Sequence, residues 1–497
     1  MAFRARVGAM LLLAGIGACA PLPRGVALQP DPARDAREAV DLLRELIRFD
    51  TINPPQPGSG KKNADETALL RHVKGILAAD GIDAMIYERE PGRGNLVARV
   101  KGSGEKRPIL LMAHVDVVNV DRSQWDVDPL AGEIRDGFLW GRGALDDKDD
   151  AAIFVQVLRV LTRAKARLSR DVILMLNADE ESSGRFGAQW MVEAHWDKIA
   201  CEAVLSEGGS ALMGEADVLQ YGFETAEKIY NDFRLFIPGE SGHSSVPLQR
   251  NAIYDAARIL SRIESFQAPI RLLETTKASF LGLSDAPEGS VWGQTHMRKA
   301  AAGDLEAAGY LAQNPRFNAQ LRSTFVPTVV RGGIRENVLP PDVEINFNAR
   351  LLPGDRIEDL IRVLMAHAGI PKYELVEGDE AAVAKWKRER KDADVGVFLV
   401  DRGVDAPPSS LDTEMYRVLM RTAKKLSPRA IVIPRMSTGA TDLRFFRMKG
   451  VQAYGVSPCP VGEVEEATPH HHNERVRLDS IERGLRFMLE VVQDAAR

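Results

Sequence analysis

The chain has 497 residues, 45% of them hydrophobic, 27% charged and 6% aromatic, which is the balance of a globular protein rather than a disordered or fibrous one. That length exceeds what a single hydrophobic core usually fills, so at least two domains are expected. A formal net charge of -5, with acids and bases interspersed, argues against a nucleic-acid partner, which would need a clustered basic face, and leaves a small molecule as the expected partner.

The first twenty residues do not read as part of a fold. Arg4 and Arg6 precede an apolar stretch, Val7 to Ala18, shorter than the ~20 residues a membrane helix needs, so residues 1–20 are expected to be a secretory signal. Its end, Ile16-Gly17-Ala18-Cys19, resembles the lipobox of bacterial lipoproteins, in which the cysteine becomes the lipidated first residue. The expectation is an exported protein, held to the membrane only by that lipid and facing the periplasm. Ordinary cleavage near Ala20, giving a soluble periplasmic or secreted protein, is the alternative. Residues 21–32, rich in proline and without periodicity, suit a tether. Cys201 and Cys459 allow at most one bridge.

From residue 33 the pattern is that of a folded domain. Ala39, Val40, Leu42, Leu43, Leu46 and Ile47 recur at helical spacing, and a second helix is expected from about Asp65 to Ala79, with Gly81 as its stop signal. Ile109 to Ala113, Val172 to Leu176 and Ala203 to Leu205 are short continuous apolar runs, as in strands covered on both faces. Helical segments near Ala151 to Leu161, Phe186 to Glu193, Thr413 to Lys425 and Ile481 to Val492 supply the cover. Residues 33–220 and 383–497 therefore read as one α/β domain. Within 221–382, Val343, Ile345, Phe347, Ala349 and Leu351 alternate with polar residues, as in an antiparallel sheet with one wet face. This is expected to be a second, α+β domain carrying an extra segment at 272–325.

Each of the three apolar runs leads into residues of metal-ligand type: His114-Val115-Asp116, Asp179-Glu180-Glu181, and Ser206-Glu207-Gly208-Gly209. Helix caps would scatter over both edges of a sheet, whereas ligands of open α/β sheets gather at the carboxyl ends of the strands. Between the first two clusters lies Gly141-Arg142-Gly143-Ala144-Leu145-Asp146-Asp147-Lys148, a glycine-rich turn before a helix that lacks the spacing of a phosphate loop. Near the carboxyl terminus stands His470-His471-His472-Asn473-Glu474, in a chain with only nine histidines. A histidine is the neutral partner that a carboxylate-rich zinc site needs.

In combination and in chain order, His-x-Asp, Gly-Arg-Gly-x-x-Asp, Asp-Glu-Glu, acid-Gly-Gly and His-x-x-Asn-Glu resemble the di-zinc exopeptidase and aminoacylase family, which includes glutamate carboxypeptidase, succinyl-diaminopimelate desuccinylase, aminoacylase and carboxypeptidase S. Segments near Trp125 and at 272–325 look closest to the carboxypeptidase S branch. The resemblance implies an α/β fold of zinc-exopeptidase type, with a three-layer catalytic domain and an inserted α+β lid and dimerisation domain. It implies two Zn2+, with cobalt or manganese acceptable to the same donors. His114 and Glu207 would hold one ion, Glu181 and His470 the other, and Asp146 would bridge them. Spacing to Asn473-Glu474 selects His470 over its two neighbours.

By the same resemblance Asp116 would accept the second imidazole proton of His114, and Glu180 would be the general base. His243, in Gly242-His243-Ser244-Ser245-Val246-Pro247, would stabilise an oxyanion across a homodimer interface. Asn337 and Arg350 match positions that bind a substrate carboxylate, and Gly439 a substrate-backbone contact. Arg350 suits that role because a guanidinium pairs bidentately with a carboxylate. Asp149 and Ser206 depart from the family pattern, where glycine and aspartate respectively are common.

The implied activity is hydrolysis of an amide bond beside a free carboxylate, in a dipeptide or an N-acyl amino acid. A non-catalytic, membrane-anchored binding protein for amino acids or peptides is the alternative; Glu180 argues against it, since binding alone has no need of a second carboxylate beside a ligand.

Overall fold

The computed structural model describes residues 31–55, 64–289, 291–389 and 395–497. The expected signal, the lipobox cysteine and most of the tether lie outside the described residues. Among the described residues no helix is long and apolar enough to cross a membrane.

The first described helix is Pro32–Ile47, where Asp31 caps the first turn by accepting from the Arg34 amide and Pro32 occupies a position whose amide hydrogen would have no helical partner. Helix Glu66–Ala79 is capped in the same way by Asp65. Both lie on one face of the larger sheet, whose strand order is Ala84–Glu88, Gly94–Val100, Val172–Asn177, Ile109–His114, Ala203–Ser206, Gln452–Gly455, Val218–Glu227 and Ile431–Ser437, with Ser210–Met213 beside Val218–Glu227. The four strands from Val172–Asn177 to Gln452–Gly455 run parallel. The three expected apolar strands are among these and are buried along their whole length.

The larger sheet is covered on both faces. Helices Pro32–Ile47, Lys148–Arg163, Glu414–Leu426 and Leu478–Ala495 pack with one face of its strands. Ala188–Ala194 and Leu443–Met448 pack with the other, against Leu110, Met112, Ile173, Met175 and Val204. Alternate residues of each strand thus enter separate cores, which is why the strands read as continuous apolar runs. Cys459 belongs to the first core and Cys201 to the second, so the sheet separates them and both are free thiols.

The second sheet has the order Thr324–Gly332, Asp342–Leu351, Ile229–Pro238, Val395–Arg402 and Tyr373–Glu377. Val343, Ile345, Phe347, Ala349 and Leu351 face helices Ala252–Ile263 and Ile357–His367, and the intervening residues stay half-exposed. Two boundaries differ from expectation. Val218–Glu227 completes the larger sheet, so the chain crosses at Lys228 rather than near 221, and Val395–Arg402 joins the second sheet, so the return follows 402 rather than 382. A short apolar run such as Val395 to Leu399 marks a strand but carries no signal of which sheet it joins.

The extra segment forms helices Glu274–Ser284, Gln294–Ala301, Leu305–Leu311 and Pro315–Leu321. They build their own core around Phe280, Met297, Leu311 and Leu321, and this core includes Ile433 of the outermost strand Ile431–Ser437. The segment therefore covers an edge of the larger sheet that would otherwise offer unpaired backbone to another chain.

Candidate metal centre

Because the parallel strands pair Ala113 with Leu176 and His114 with Asn177, their carboxyl ends stop at one level, and the loops leaving them converge. Strand Ile109–His114 ends in His114 itself, and the loops deliver Glu181 and Glu207. Asp146 arrives from the turn before helix Lys148–Arg163, and His470 from the loop before strand Arg475–Arg477. Asp146 stands between the two histidines: Oδ1 is 3.0 Å from His114 Nε2 and Oδ2 is 3.1 Å from His470 Nε2. Glu207 Oε2 lies 3.9 Å from His114 Nε2, and Glu181 Oε2 lies 3.2 Å from His470 Nε2. His114, Asp146 and Glu207 thus offer donor atoms within 4.8 Å of one another; Asp146, Glu181 and His470 do the same, with Asp146 common to both groups.

The electrostatics of this cluster are those of a cation site. Burial pushes the Glu207 carboxyl up to about 8. Burial, then repulsion from Asp146, raises Glu181; burial, then repulsion from Glu207, holds Glu180 well above the usual carboxylate range. Hydrogen bonds to Asp146 and Glu181 push His470 up to about 10. Against burial, bonds to Asp116 and Asp146 raise His114, and against burial the two imidazoles hold Asp146 below its ordinary value. Glu181 Oε1 is buried and has no hydrogen-bond partner among the described residues. Crowded carboxylates, two imidazoles and an orphaned buried oxygen suit a pair of divalent cations, and the nitrogen and oxygen donors suit zinc.

The support for these side chains comes from Asp116 and from residues that sequence reasoning did not assign, Asn53 and Arg93 among them. His114 Nδ1 lies 3.0 Å from the main-chain carbonyl of Asp116 and 3.6 Å from its carboxylate. Asp116 thus faces Nδ1 with both its carbonyl and its carboxylate, groups that accept and so place the proton on Nδ1 and turn Nε2 toward the centre. The Asp116 carboxylate also accepts from Asn53 Nδ2 at 2.8 Å and from the amides of Glu180 and Glu181, each at 3.2 Å. Asp116 thus holds the loop that carries both glutamates. Asn53 also donates to Asp179 Oδ1, and Arg93 bonds Asn53, Asp179 and Glu66. Asp179 and His470 take left-handed backbone, with φ of 70° and 63°, a strained geometry for such residues that dense bonding of this kind maintains.

Glu474 ties the two remaining loops together. Its carboxylate accepts from the Gly143 amide at 3.2 Å, the Leu145 amide at 2.8 Å and the Arg142 guanidinium, whose other end reaches the His471 carbonyl at 2.9 Å. The turn carrying Asp146 and the loop carrying His470 are locked by one buried pair, with side-chain exposures of 3% and 0%. Arg142→Ala strands that carboxylate, and the expected loss of unfolding free energy is about 3–5 kcal/mol, measured by urea denaturation. A loss below about 1 kcal/mol, the worth of a surface pair, would show that the pair locks nothing.

Residues 110–494 match the sequence pattern of Peptidase family M20/M25/M40. The chain belongs to peptidase family M20. It is 27% identical over 480 residues to the human protein named N-fatty-acyl-amino acid synthase/hydrolase PM20D1, a match covering 93% of this chain and 90% of that one. To carboxypeptidase S of Saccharomyces cerevisiae it is 28% identical over 262 residues, covering 49% and 45% of the two chains. The M20 family metallo-carboxypeptidase Sso-CP2 from Sulfolobus solfataricus shares the fold at a TM-score of 0.65 and 18% identity, with 92% of this chain and 98% of that one aligned. The M20 chain is accordingly a metallohydrolase acting on amide bonds, with residues placed to hold a dinuclear centre, and the binding-protein alternative gives way.

The other expected site residues of this M20 chain lie outside both donor groups. His243 is exposed on the short strand Gly242–His243, which pairs with Val338–Leu339, and its Nδ1 lies 2.7 Å from Ser245 Oγ. Asn337 is brought beside it, its carbonyl accepting from the Ser244 amide at 3.0 Å. Arg350 lies on the polar face of Asp342–Leu351, with Nε on Asn348 Oδ1 at 3.2 Å and its guanidinium over the Tyr230 ring. Gly439 is exposed in the loop after Ile431–Ser437. Asp149, the departure from glycine, is buried with Asp147 and Asp150; these three carboxylates form a separate donor group without a histidine, sharing no residue with the other two. Ser206 ends its strand in the position that delivers Glu207.

Proposed function

We infer that this M20 hydrolase cleaves the amide bond of N-acyl amino acids that retain a free α-carboxylate. The observation that carries the reading is the convergence of His114, Asp146, Glu181, Glu207 and His470 in two groups sharing Asp146, with Glu180 adjoining but belonging to neither. The human relative aligned over nearly the full length of both chains carries an N-fatty-acyl-amino acid activity in its name, which favours an acyl group over a second amino acid.

His114, Asp146 and Glu207 would hold one ion and Asp146, Glu181 and His470 the other, zinc by donor type. When bound, the ions supply Lewis acidity that lowers the pKa of a water and polarises a carbonyl. Glu180 would act as the base that takes a proton from the attacking water and returns it to the leaving amine, a task suited to a carboxyl that burial holds well above the usual carboxylate range. Arg350, held in place by Asn348 and Tyr230, binds the substrate carboxylate.

The test is release of free amino acid from N-acyl amino acids of graded chain length and from dipeptides, by zinc-loaded protein. Release from the N-acyl series at a higher kcat/KM supports the reading; release confined to dipeptides replaces it with a peptidase. Arg350→Ala is expected to raise KM about 10- to 100-fold for free carboxylates, the range for loss of a charged hydrogen-bonded contact, while leaving the matching esters little changed. An equal effect on acids and esters would remove Arg350 from the carboxylate subsite.

A further inference from the structure

Asp442 is a buried carboxylate beside the centre to which the reaction assigns no part. Its side chain is 3% exposed, and Oδ2 accepts from Asn177 Nδ2 at 2.8 Å. Asn177 is the last residue of strand Val172–Asn177, two positions before the Asp179-Glu180-Glu181 turn. Asp442 Oδ1 has no hydrogen-bond partner among the described residues, with Arg444 Nη2 3.9 Å away, and it faces the end of that turn: a Cβ added to Gly184 would lie 2.7 Å from it. Only glycine at 184, with φ +71°, lets the turn close over the carboxylate.

The neighbouring residue reaches the other way. Thr441 donates from its amide and from Oγ1 to Glu227 Oε2, at 2.8 and 2.9 Å. Glu227 is the last residue of its strand before the chain crosses to the second sheet, and Lys228, at the crossing, donates its amide to the Ser437 carbonyl at 3.0 Å. The segment from Ser437 to Asp442, which carries Gly439, is therefore fastened to the crossing at Ser437 and Thr441 and to the Glu180 strand at Asp442. Burying a carboxylate with one hydrogen bond and its nearest guanidinium, that of Arg444, 3.9 Å away is costly, and such an arrangement persists where the bond has geometry to enforce.

We propose that Thr441–Asp442 is a clasp joining the Glu180 turn to the point where the chain enters the second sheet, and that Asp442 is a positioning residue for hydrolysis. The inference rests on the reading of Glu180 as the base. Its action is through Asn177: the bond fixes the end of the strand, and hence where the turn presents Glu180 relative to the five converging donors.

The experiment compares Asp442→Ala, Asp442→Asn, Asn177→Ala and the Asp442→Ala/Asn177→Ala double variant, all zinc-loaded, for kcat, KM and zinc content on an N-acyl amino acid. Asp442→Ala and Asn177→Ala are each expected to lower kcat about 10- to 100-fold with KM little changed and both ions retained. The double variant should be no slower than either single one, because both remove the same bond. Asp442→Asn still offers an oxygen to Asn177 and should restore most of kcat. Wild-type kcat in Asp442→Ala, with only a lower Tm, would overturn the proposal, and so would an Asp442→Asn variant as slow as Asp442→Ala. Should Asp442→Ala fail to fold, Asn177→Ala carries the same test from the other side of the bond. Failure of the base reading shows separately, as turnover retained in Glu180→Gln.

Discussion

Glu180→Gln is expected to stay folded and metal-loaded while turning over about 10²- to 10⁴-fold more slowly than the parent, the usual contribution of a positioned acid–base group. Three observations set that size. Glu180 belongs to neither donor group, so replacing its carboxylate removes no ligand. Its amide is fixed by Asp116 at 3.2 Å, a bond the substitution does not touch. Its carboxyl is held well above the usual range, first by burial and then by Glu207, which favours a group that both takes and returns a proton. Glutamine keeps the size and loses the proton exchange. Steady-state kcat beside zinc content is the measurement, and near-normal turnover with both ions bound would remove Glu180 from the chemistry.

Removing the ions should make the protein less stable, and increasingly so as pH rises. Glu207, ordinarily near 4.5, is held up to about 8, and His470, ordinarily near 6.5, up to about 10. Both shifts are upward, so the metal-free folded state binds more protons than the unfolded one between about pH 4.5 and 8 for Glu207 and between about 6.5 and 10 for His470. Stability then falls with rising pH across those windows. Lys148 and Lys228, each lowered to about 7 by burial, act in the opposite sense, but they do so in both metal-free and loaded protein. The difference between the two forms therefore isolates the centre. With zinc held at a fixed concentration 1,000 times its Kd at pH 6, each ion adds about 4 kcal/mol there, and because binding displaces protons Kd falls and the gap widens from pH 6 to 9. Calorimetric Tm values with zinc and with chelator test this; a gap that narrows with pH would contradict the protonated, cation-seeking site described above.

Three of the converging donors were legible in the sequence because each follows an unmistakable element. Buried strands read as apolar runs, and His114, Glu181 and Glu207 follow them within a few residues. The alternation from Val343 to Leu351 exposed the second sheet just as directly. What held those ligands was not legible. Asn53 meets Asp116 and Asp179, and Arg93 meets Asp179, from 63 to 126 residues away in sequence, and neither stands in a patterned segment. That the Asp116 carbonyl approaches His114 Nδ1 more closely than the expected carboxylate, 3.0 Å against 3.6 Å, is a detail that only backbone geometry sets. Arg142 lay in plain view within Gly-Arg-Gly, yet its bond to Glu474 spans 332 positions. Sheet membership of Val395–Arg402 escaped for a related reason, since pairing with Ile229–Pro238 is a long-range fact.

Turnover followed as zinc is added back to chelated protein tests the central claim most directly. Two donor groups sharing Asp146 predict no amino-acid release from an N-acyl amino acid without metal, and a rise that levels off at two ions per chain. Full turnover in the chelated protein, or two bound ions with no release from any N-acyl amino acid or dipeptide, would contradict it.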